Sequence, residues 1–383
     1  MAISMGIGPL LVYGLTAMSP LVISELSLSR TQFGSFATTA FLAAALSSGL
    51  VGGLVDRISE RVTMYLLYGG SAVALWIAAT AQNYAWMLVA VVVSGTVQAL
   101  SNPVTNRLVA EYTGPAERGT LMGVKQSGVQ MAQALAGLAL PLLAVVAGWR
   151  GSLSAASVLA LAGLALSARY IPRRRATDAP RTERGGGRAT MPAVVWWLAA
   201  YALLSGCALQ ATNFYLPLYG YEALGLSMAT AGLLAAVVGG VGLLARIGWG
   251  RAVGRLRSPR AALAVLAGGA GLGVVAITLA DAVGSGLVWA GAALFGATGL
   301  AANVVLMVTV LRTVPPALVG RASGAMAIGL YLGFAVGPVS FGGIVDATGD
   351  YRIGWLAAVA LYVLTGLLAL LRRDWSPPVD APS

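Results

Sequence analysis

The chain has 383 residues, of which 58% are hydrophobic and only 10% are charged. A soluble domain of this length cannot cover its surface with so few charged side chains, so the composition excludes that class. The net charge of +11 would suggest nucleic acid as a partner of a soluble protein. In a membrane protein it instead predicts orientation, and we expect no nucleic-acid partner.

Hydrophobic stretches long enough to cross a bilayer recur along the whole chain. A transmembrane helix needs about 20 mostly apolar residues, and the sequence contains twelve such stretches. It therefore predicts an all-α, polytopic membrane protein. We expect the first stretch to be a retained span and not a cleaved signal peptide, because no basic residues precede it. The predicted spans are residues 2–23, 32–54, 63–81, 84–106, 119–144, 152–171, 192–217, 228–249, 261–280, 285–311, 322–344 and 353–371.

The distribution of arginines predicts how these spans are oriented. When loops are assigned alternately to the two sides, twenty arginines fall on one side and only Arg30, Arg150 and Arg352 on the other. The positive-inside rule makes the arginine-rich side cytoplasmic. We therefore expect a multi-pass protein of the plasma membrane with both termini in the cytoplasm.

The chain divides into two similar halves. Residues 172–191 are polar, rich in arginine and glycine, and predict a flexible cytoplasmic linker between residues 1–171 and 192–383. A proline, a glutamate five residues later and a Leu-Ser pair recur after the first and seventh spans, from Pro20 and from Pro217. This repeat predicts two pseudo-symmetric six-helix bundles with a solute site between them, as is typical of transporters.

The loop after the second predicted span carries a motif that points to a family. The run Gly52-Gly53-Leu54-Val55-Asp56-Arg57, followed by Arg61, resembles the signature of the Major Facilitator Superfamily between its second and third helices. Ser59 stands where a glycine is usual, and Glu60 stands where a basic residue is common. The resemblance implies a twelve-helix transporter.

The same resemblance implies a gate. In the family, the aspartate and arginines at the positions of Asp56, Arg57 and Arg61 act as a latch that holds one face closed. Arg255 belongs to a weaker echo of this motif in the second half, and we include it in the predicted gate. The alternative is a solvated charged turn with no role in transport.

Lys125, the only lysine of the chain, falls about six residues inside the fifth predicted span. A cation there costs on the order of several kcal/mol unless it faces water, a partner or a ligand. Gln126, Gln130 and Gln133 lie on the same helix face, within roughly 140°. Three interpretations remain open: binding of an anionic solute, extension of the ammonium to the lipid headgroups, and a structural hydrogen bond to carbonyls of a neighbouring helix.

Further polar side chains lie on faces of other predicted spans. The resemblance implies that the first, fourth, seventh and tenth helices line a central cavity. For each residue alone, an interhelical hydrogen bond is the alternative to solute binding. The predicted substrate-binding residues are Lys125, Gln126, Gln130, Asn102, Gln210, Asn213, Tyr13 and Tyr331.

Several enzyme classes are excluded by residues that the chain lacks. With no histidine and one cysteine, it can form neither a Ser-His pair nor a Cys/His metal cluster. The single lysine is followed by Gln126, so the phosphate-binding motif that ends in Gly-Lys-Ser/Thr cannot occur. We therefore predict no enzymatic activity, no catalytic residues, no metal and no cofactor.

Together these observations predict a secondary active or facilitative transporter that moves a small polar, anionic solute by alternating access. The alternatives are an exporter of apolar or drug-like compounds and a sensor of the same fold that no longer transports. None of the thirteen acids lies deep in a predicted span, which argues against proton-coupled drug export. The expected partners are the solute and the lipid bilayer, and we expect a monomer.

Overall fold

The computed structural model describes residues 1–55, 58–112, 115–171, 191–253, 258–315 and 318–371, and within these ranges the protein contains α-helices and no β-strand. We call residues 1–171 the first segment and residues 191–371 the second segment. The helices are α1 (Ala2–Ile7), α2 (Leu10–Ala17), α3 (Ser19–Leu26), α4 (Arg30–Val55), α5 (Glu60–Ala79), α6 (Tyr84–Gln98), α7 (Ser101–Tyr112), α8 (Pro115–Tyr170), α9 (Ala193–Glu222), α10 (Met228–Val253), α11 (Pro259–Val283), α12 (Leu287–Thr298), α13 (Ala302–Thr313), α14 (Val319–Thr348) and α15 (Tyr351–Leu371).

The outer surface of the helices is apolar. Nine helical stretches among the described residues are long and apolar enough to cross a membrane. Large side chains such as Trp76, Val146 and Leu272 are 59%, 89% and 64% exposed. Water would penalise so much apolar surface, whereas lipid tails contact it without cost. The protein is therefore a multi-pass helical membrane protein.

Side-chain caps explain where several helices begin. Asn83 accepts a hydrogen bond from the Trp86 amide at 2.9 Å and starts α6. At the start of α4, Ser29 and Gln32 exchange side-chain to backbone bonds of 3.0 and 3.1 Å. This reciprocal pair is a capping box, which satisfies amides that a helix start otherwise leaves without partners.

Three of the predicted spans are interrupted rather than continuous. The first consists of α1, α2 and α3, the fourth of α6 and α7, and the tenth of α12 and α13. Pro9 and Pro20 interrupt the first because a proline has no N–H to donate to the preceding turn. The break in the tenth falls at residues 299–301, next to the cavity described below.

The predicted fifth and sixth spans are joined by a sharp reversal within α8. Gly148 takes the left-handed φ of 67°, which glycine adopts without strain. The Ser152 hydroxyl then reaches back to the Leu140 carbonyl at 3.2 Å. α9 in turn continues through Pro217 to Glu222, beyond the predicted end of the seventh span.

Some predicted features lie outside the described residues. They are the linker over residues 172–190 and the gate residues Asp56, Arg57 and Arg255. Their roles remain predictions.

Candidate functional site

Two close helix pairs join the first segment to the second. In the first pair, α4 packs antiparallel on α14, and a Cβ added to Gly34 would lie 2.5 Å from the Pro338 carbonyl oxygen. One turn further, the Thr38 hydroxyl donates to the Ala335 carbonyl at 2.5 Å. Only a residue without a side chain permits such an approach of two backbones.

The second pair is formed by α8 and α10, which also run antiparallel. A Cβ on Gly137 would lie 2.6 Å from the Ala236 amide nitrogen, and one on Gly239 would lie 2.8 Å from the Ala134 amide nitrogen. We call these two contacts the α4/α14 seam and the α8/α10 seam. Side chains that lie between the two seams face an interior that both segments enclose.

A cavity of about 150 Å³ occupies this interior. A single water needs roughly 10–15 Å³ by a comparable measure, so the cavity can hold a small solute. Both segments contribute to its wall, through α1, α2, α4, α6, α7 and α8 on one side and through α9, α10, the break between α12 and α13, α13 and α14 on the other. Its polar wall consists of Tyr13, Gln98, Ser101, Asn102, Gln126, Gln130, Ser205, Gln210, Asn213, Arg246, Asn303 and Tyr331.

Arg246 supplies the cation of this wall. Its Nε donates to the Leu300 carbonyl at 3.0 Å, and its Nη1 lies 3.5 Å from the Gln126 carbonyl of the first segment. The Leu300 carbonyl accepts this bond at the break between α12 and α13, where the helical pattern does not use it. A guanidinium has more N–H donors than these two bonds occupy, so it can still bind an anion.

Sequence reasoning missed Arg246. The predicted eighth span ends at residue 249, so Arg246 counts there as a cation of the membrane boundary. One feature of the sequence could have identified Arg246 as a cavity residue. It follows Gly239 by seven residues, which places both on one face of α10. That face follows the α8/α10 seam and reaches the cavity at Gln126.

Lys125 has a different position from the one expected of a solute ligand. Its side chain is 1% exposed, and its ammonium donates to the Asn106 side-chain oxygen on α7. It is not among the residues that line the cavity. A hydrogen bond to a neighbouring helix, one of the three open interpretations, describes this contact. Direct solute binding by Lys125 remains a prediction.

The other predicted solute ligands do come together. Gln126, Gln130, Asn102, Gln210, Asn213, Tyr13 and Tyr331 all line the cavity. Gln133 lies behind this wall, where its amide donates to the Asn213 oxygen at 2.7 Å and so links the two segments. Gln98, Ser101, Ser205 and Asn303 also line the cavity and were not among the predicted ligands.

Aromatic rings close the cavity towards the α4/α14 seam. Phe41 stacks on Tyr331 with ring centres 6.3 Å apart and meets Phe334 edge-on at 5.0 Å. Further along the seam, Phe33 stacks on Phe214 at 4.5 Å. These contacts cross from one segment to the other, so they hold this end of the cavity shut.

A polar network lies beyond these rings, at the end of the molecule where α4 begins. Arg30 pairs with Glu222 through bonds of 2.9 and 3.0 Å, and the Tyr351 hydroxyl donates to Glu222 at 2.6 Å. Asp346 accepts bonds from Arg30 and Thr31. We call this set the Arg30 network. It again joins the two segments.

At the opposite end, three charged contacts lie within the first segment. Arg61 donates to Tyr65 and to the Ala168 carbonyl, both at 2.5 Å. Glu60, which stands where the family motif commonly has a basic residue, pairs with Arg107 at 2.5 Å. The gating role predicted for Arg61 remains a prediction.

Comparison with known proteins identifies the family. Residues 1–338 match the sequence profile described as Major Facilitator Superfamily. The chain belongs to this superfamily. An uncharacterised MFS-type transporter of Mycobacterium tuberculosis is 26% identical to it, over 91% of this chain and 82% of that protein. The protein is thus an MFS transporter, as the sequence resemblance predicts.

More distant relatives of the MFS transporter have named substrates. A hexuronate transporter of Bacillus subtilis is 23% identical over 60% of this chain and 58% of that protein. A gallate transporter of Pseudomonas putida is 25% identical over 42% of this chain and 37% of that protein. Among solved structures, a mutant of the nucleoside transporter NupG has a TM-score of 0.79 at 14% identity, covering 97% of this chain and 98% of that one. This last likeness concerns the fold alone.

Proposed function

We propose that this MFS transporter carries a small polar anion across the plasma membrane by alternating access. Arg246 is the observation that carries the proposal. It is a cation in a cavity that both segments line, and no aspartate or glutamate of the described residues lines that cavity. An anionic solute would therefore complete the charge balance of the site.

Arginine is well suited to this task. Its planar N–H groups match a carboxylate in a bidentate arrangement that a lysine cannot make. A hydrogen bond to a charged group contributes about 1.5–3 kcal/mol, which corresponds to roughly tenfold to a hundredfold in affinity. Hexuronate and gallate, the named substrates of two relatives, each carry a carboxylate. These substrate names support an organic anion as the solute of this transporter.

The proposal includes the predicted topology of twelve spans. The nine candidate membrane stretches found among the described residues include α8, which Gly148 divides into two. α1–α3 taken together and α4 supply two more. The Arg30 network then lies at the extracellular end, and both termini lie in the cytoplasm. The transporter works as a monomer and needs no cofactor.

In this scheme residues 1–171 rock against residues 192–383 around the cavity. The α4/α14 seam and the α8/α10 seam are the surfaces that move. The Arg30 network and the stacked rings close the extracellular end, so the solute would enter or leave from the cytoplasmic end in this conformation. The predicted gate at Asp56, Arg57, Arg61 and Arg255 would close that second end.

The test is solute uptake into liposomes that contain purified protein, with organic acids and uncharged dyes as probes. We expect uptake of an organic acid by the wild type and much weaker uptake at low acid concentration in Arg246→Gln. Uptake of uncharged apolar dyes that is insensitive to Arg246→Gln would instead support the exporter. An absence of flux for every probe, with protein that is folded and inserted, would support the sensor.

A further inference from the structure

Three aromatic side chains both line the cavity and hold the two segments together. Phe41 belongs to α4 of the first segment, and Tyr331 and Phe334 belong to α14 of the second. Their ring centres lie 6.3, 5.0 and 6.2 Å apart, so each ring contacts the other two. We call these three residues the ring cluster. A solute that displaces one of these rings also breaks a contact between the segments.

Arg246 and the ring cluster belong to different seams, with the cavity between them. Arg246 lies on α10 of the α8/α10 seam, whereas the rings lie on α4 and α14. Both seams are already at backbone contact, because a Cβ on Gly34 or Gly239 would lie 2.5 or 2.8 Å from a backbone atom of the facing helix. A solute with its carboxylate on Arg246 therefore extends towards the ring cluster in a space of fixed width.

The volume of this space limits the size of the solute. The cavity measures about 150 Å³. A protein cavity of this volume holds benzene, which has about six non-hydrogen atoms, as has butyrate. Alternating access also requires a state in which both ends of the cavity are closed. The ring cluster already closes one end here, so closure of the other end adds no volume.

The charge of the wall limits the number of carboxylates. Arg246 is the one charged side chain among the described residues that line the cavity. The first carboxylate of a solute pairs with it. A second carboxylate would enter the cavity without a cation of its own, which is unfavourable for an ionised group.

We propose that the ring cluster sets an upper limit on solute size and restricts this transporter to short monocarboxylates of about six non-hydrogen atoms. This inference rests on the proposed function and narrows it by size. The carboxylate contacts Arg246, and the other end of the solute meets the rings. Such an acid shares only its carboxylate with hexuronate and gallate, the named substrates of two relatives. Those acids have roughly twice as many non-hydrogen atoms as benzene and exceed the limit.

The experiment compares the binding of butyrate and of 1-naphthoate, both ionised at pH 7. Each is titrated into the detergent-solubilised protein, and the rise of Tm with free ligand concentration gives an apparent Kd. Burial of apolar surface alone would favour 1-naphthoate, which has the larger apolar area. We expect the opposite order, with an apparent Kd for 1-naphthoate at least tenfold above that for butyrate. Arg246→Gln should raise the Kd for butyrate at least tenfold.

Two variants test whether the ring cluster sets the limit. Phe334→Ala and Phe41→Ala each remove one ring from the wall, so the Kd for 1-naphthoate falls at least fivefold while that for butyrate stays within threefold. Phe341→Ala is the matched control. Phe341 also lies on α14, is 3% exposed and stacks on Tyr215 at 4.7 Å, but it does not line the cavity. Its substitution leaves both Kd values within twofold of the wild type.

The outcomes separate this inference from the proposed function. A Kd for 1-naphthoate equal to or below that for butyrate in the wild type overturns the size limit, and so does uptake of other organic acids by a protein that does not bind butyrate. In both cases Arg246-dependent uptake leaves the proposed function standing. A preference for butyrate that survives both ring variants overturns the role of the ring cluster. If no organic acid binds or is taken up, the proposed function itself fails. Should Phe334→Ala fail to fold, Phe41→Ala on the other segment decides.

Discussion

Asp346 of the second segment caps the helix that begins at Arg30 and Thr31 in the first segment. One carboxylate oxygen accepts from the Arg30 amide at 2.9 Å, and the other accepts from the Thr31 amide and hydroxyl at 2.7 and 2.6 Å. The helix's own capping residue, Ser29, satisfies only the next amide, that of Gln32. The start of α4 is therefore fully satisfied only while the two segments are together at this end.

Asp346→Asn should weaken the closed arrangement at this end. A helix cap contributes about 1 kcal/mol, so we expect roughly a fivefold rise in the open population. The measurement uses a Cys207→Ala background with a reporter cysteine at Ser205, which lines the cavity. Alkylation by an impermeant maleimide added outside should become faster.

Asp350→Asn is the matched control for this change. Asp350 lies at the same end but caps its own segment, where it accepts from the Arg352 amide at 2.8 Å. Its substitution should leave the alkylation rate as in the wild type. Equal rates in Asp346→Asn and Asp350→Asn would show that the cap between segments does not bias the opening.

Substitutions of Arg246 and of Lys125 should differ in their effect on the apparent KM for the solute. Arg246→Gln should raise the apparent KM for an organic acid by roughly tenfold or more, because it removes charged hydrogen bonds to the solute. Lys125→Met should change it less than about threefold, because Lys125 contacts Asn106 and not the cavity. Initial uptake rates over a range of concentrations measure both. A larger effect of Lys125→Met than of Arg246→Gln would restore Lys125 as the solute ligand.

Adjacent glycines on α10 should differ in their tolerance of alanine. A Cβ on Gly239 would press on the α8 backbone, whereas one on Gly240 meets nothing within 4 Å. Gly239→Ala should destabilise the protein by about 1–3 kcal/mol through overpacking and slow transport, while Gly240→Ala should do neither. Thermal unfolding in detergent and uptake rates test this. Similar Tm values for the two variants would mean that the α8/α10 seam is looser than described.

Glu25 and Glu222 occupy equivalent positions in the two halves of the sequence, but their substitution should have different effects. Glu25 accepts from the buried Trp149 indole at 2.5 Å and also pairs with Arg150, all within the first segment. Glu25→Met leaves that indole N–H without its partner, so we expect a loss of about 1–3 kcal/mol in stability and unchanged transport per folded molecule.

Glu222, by contrast, bridges the segments through Arg30. Glu222→Met should cost little stability, because exposed ion pairs contribute about 0–1 kcal/mol. It should instead increase opening at the Arg30 end, as read by the same alkylation assay. A large loss of Tm in Glu222→Met with no change in alkylation would contradict the assignment.

The cavity wall was predictable from the sequence to a large extent. Polar residues at helical spacing, such as Asn102, Gln130 and Asn213, stand out in apolar spans, because a membrane helix has few reasons to carry them. The family was predictable from the loop motif, and that prediction is confirmed. The twelve-span count and the two bundles remain predictions.

Other features depended on geometry that one sequence does not encode locally. Arg246 lies so close to a predicted span end that depth alone does not distinguish it from a boundary cation. The bond of Lys125 to Asn106 depends on how α7 sits beside α8. The cap of Asp346 on Thr31 joins residues 315 positions apart. An aspartate or a threonine near the end of a span does not by itself indicate such a pairing.

The guanidinium in the cavity wall also has an electrical consequence for the proposed transport cycle. Since no acid of the described residues faces Arg246 there, the empty site is positive, and a bound monoanion makes it neutral. A membrane potential contributes about 2.3 kcal/mol per elementary charge per 100 mV. Voltage should therefore act on the reorientation of the empty transporter and leave the reorientation of the solute-loaded transporter almost unaffected. Counter-exchange of two monoanions should then be electrically silent, whereas net transport of the anion should carry current.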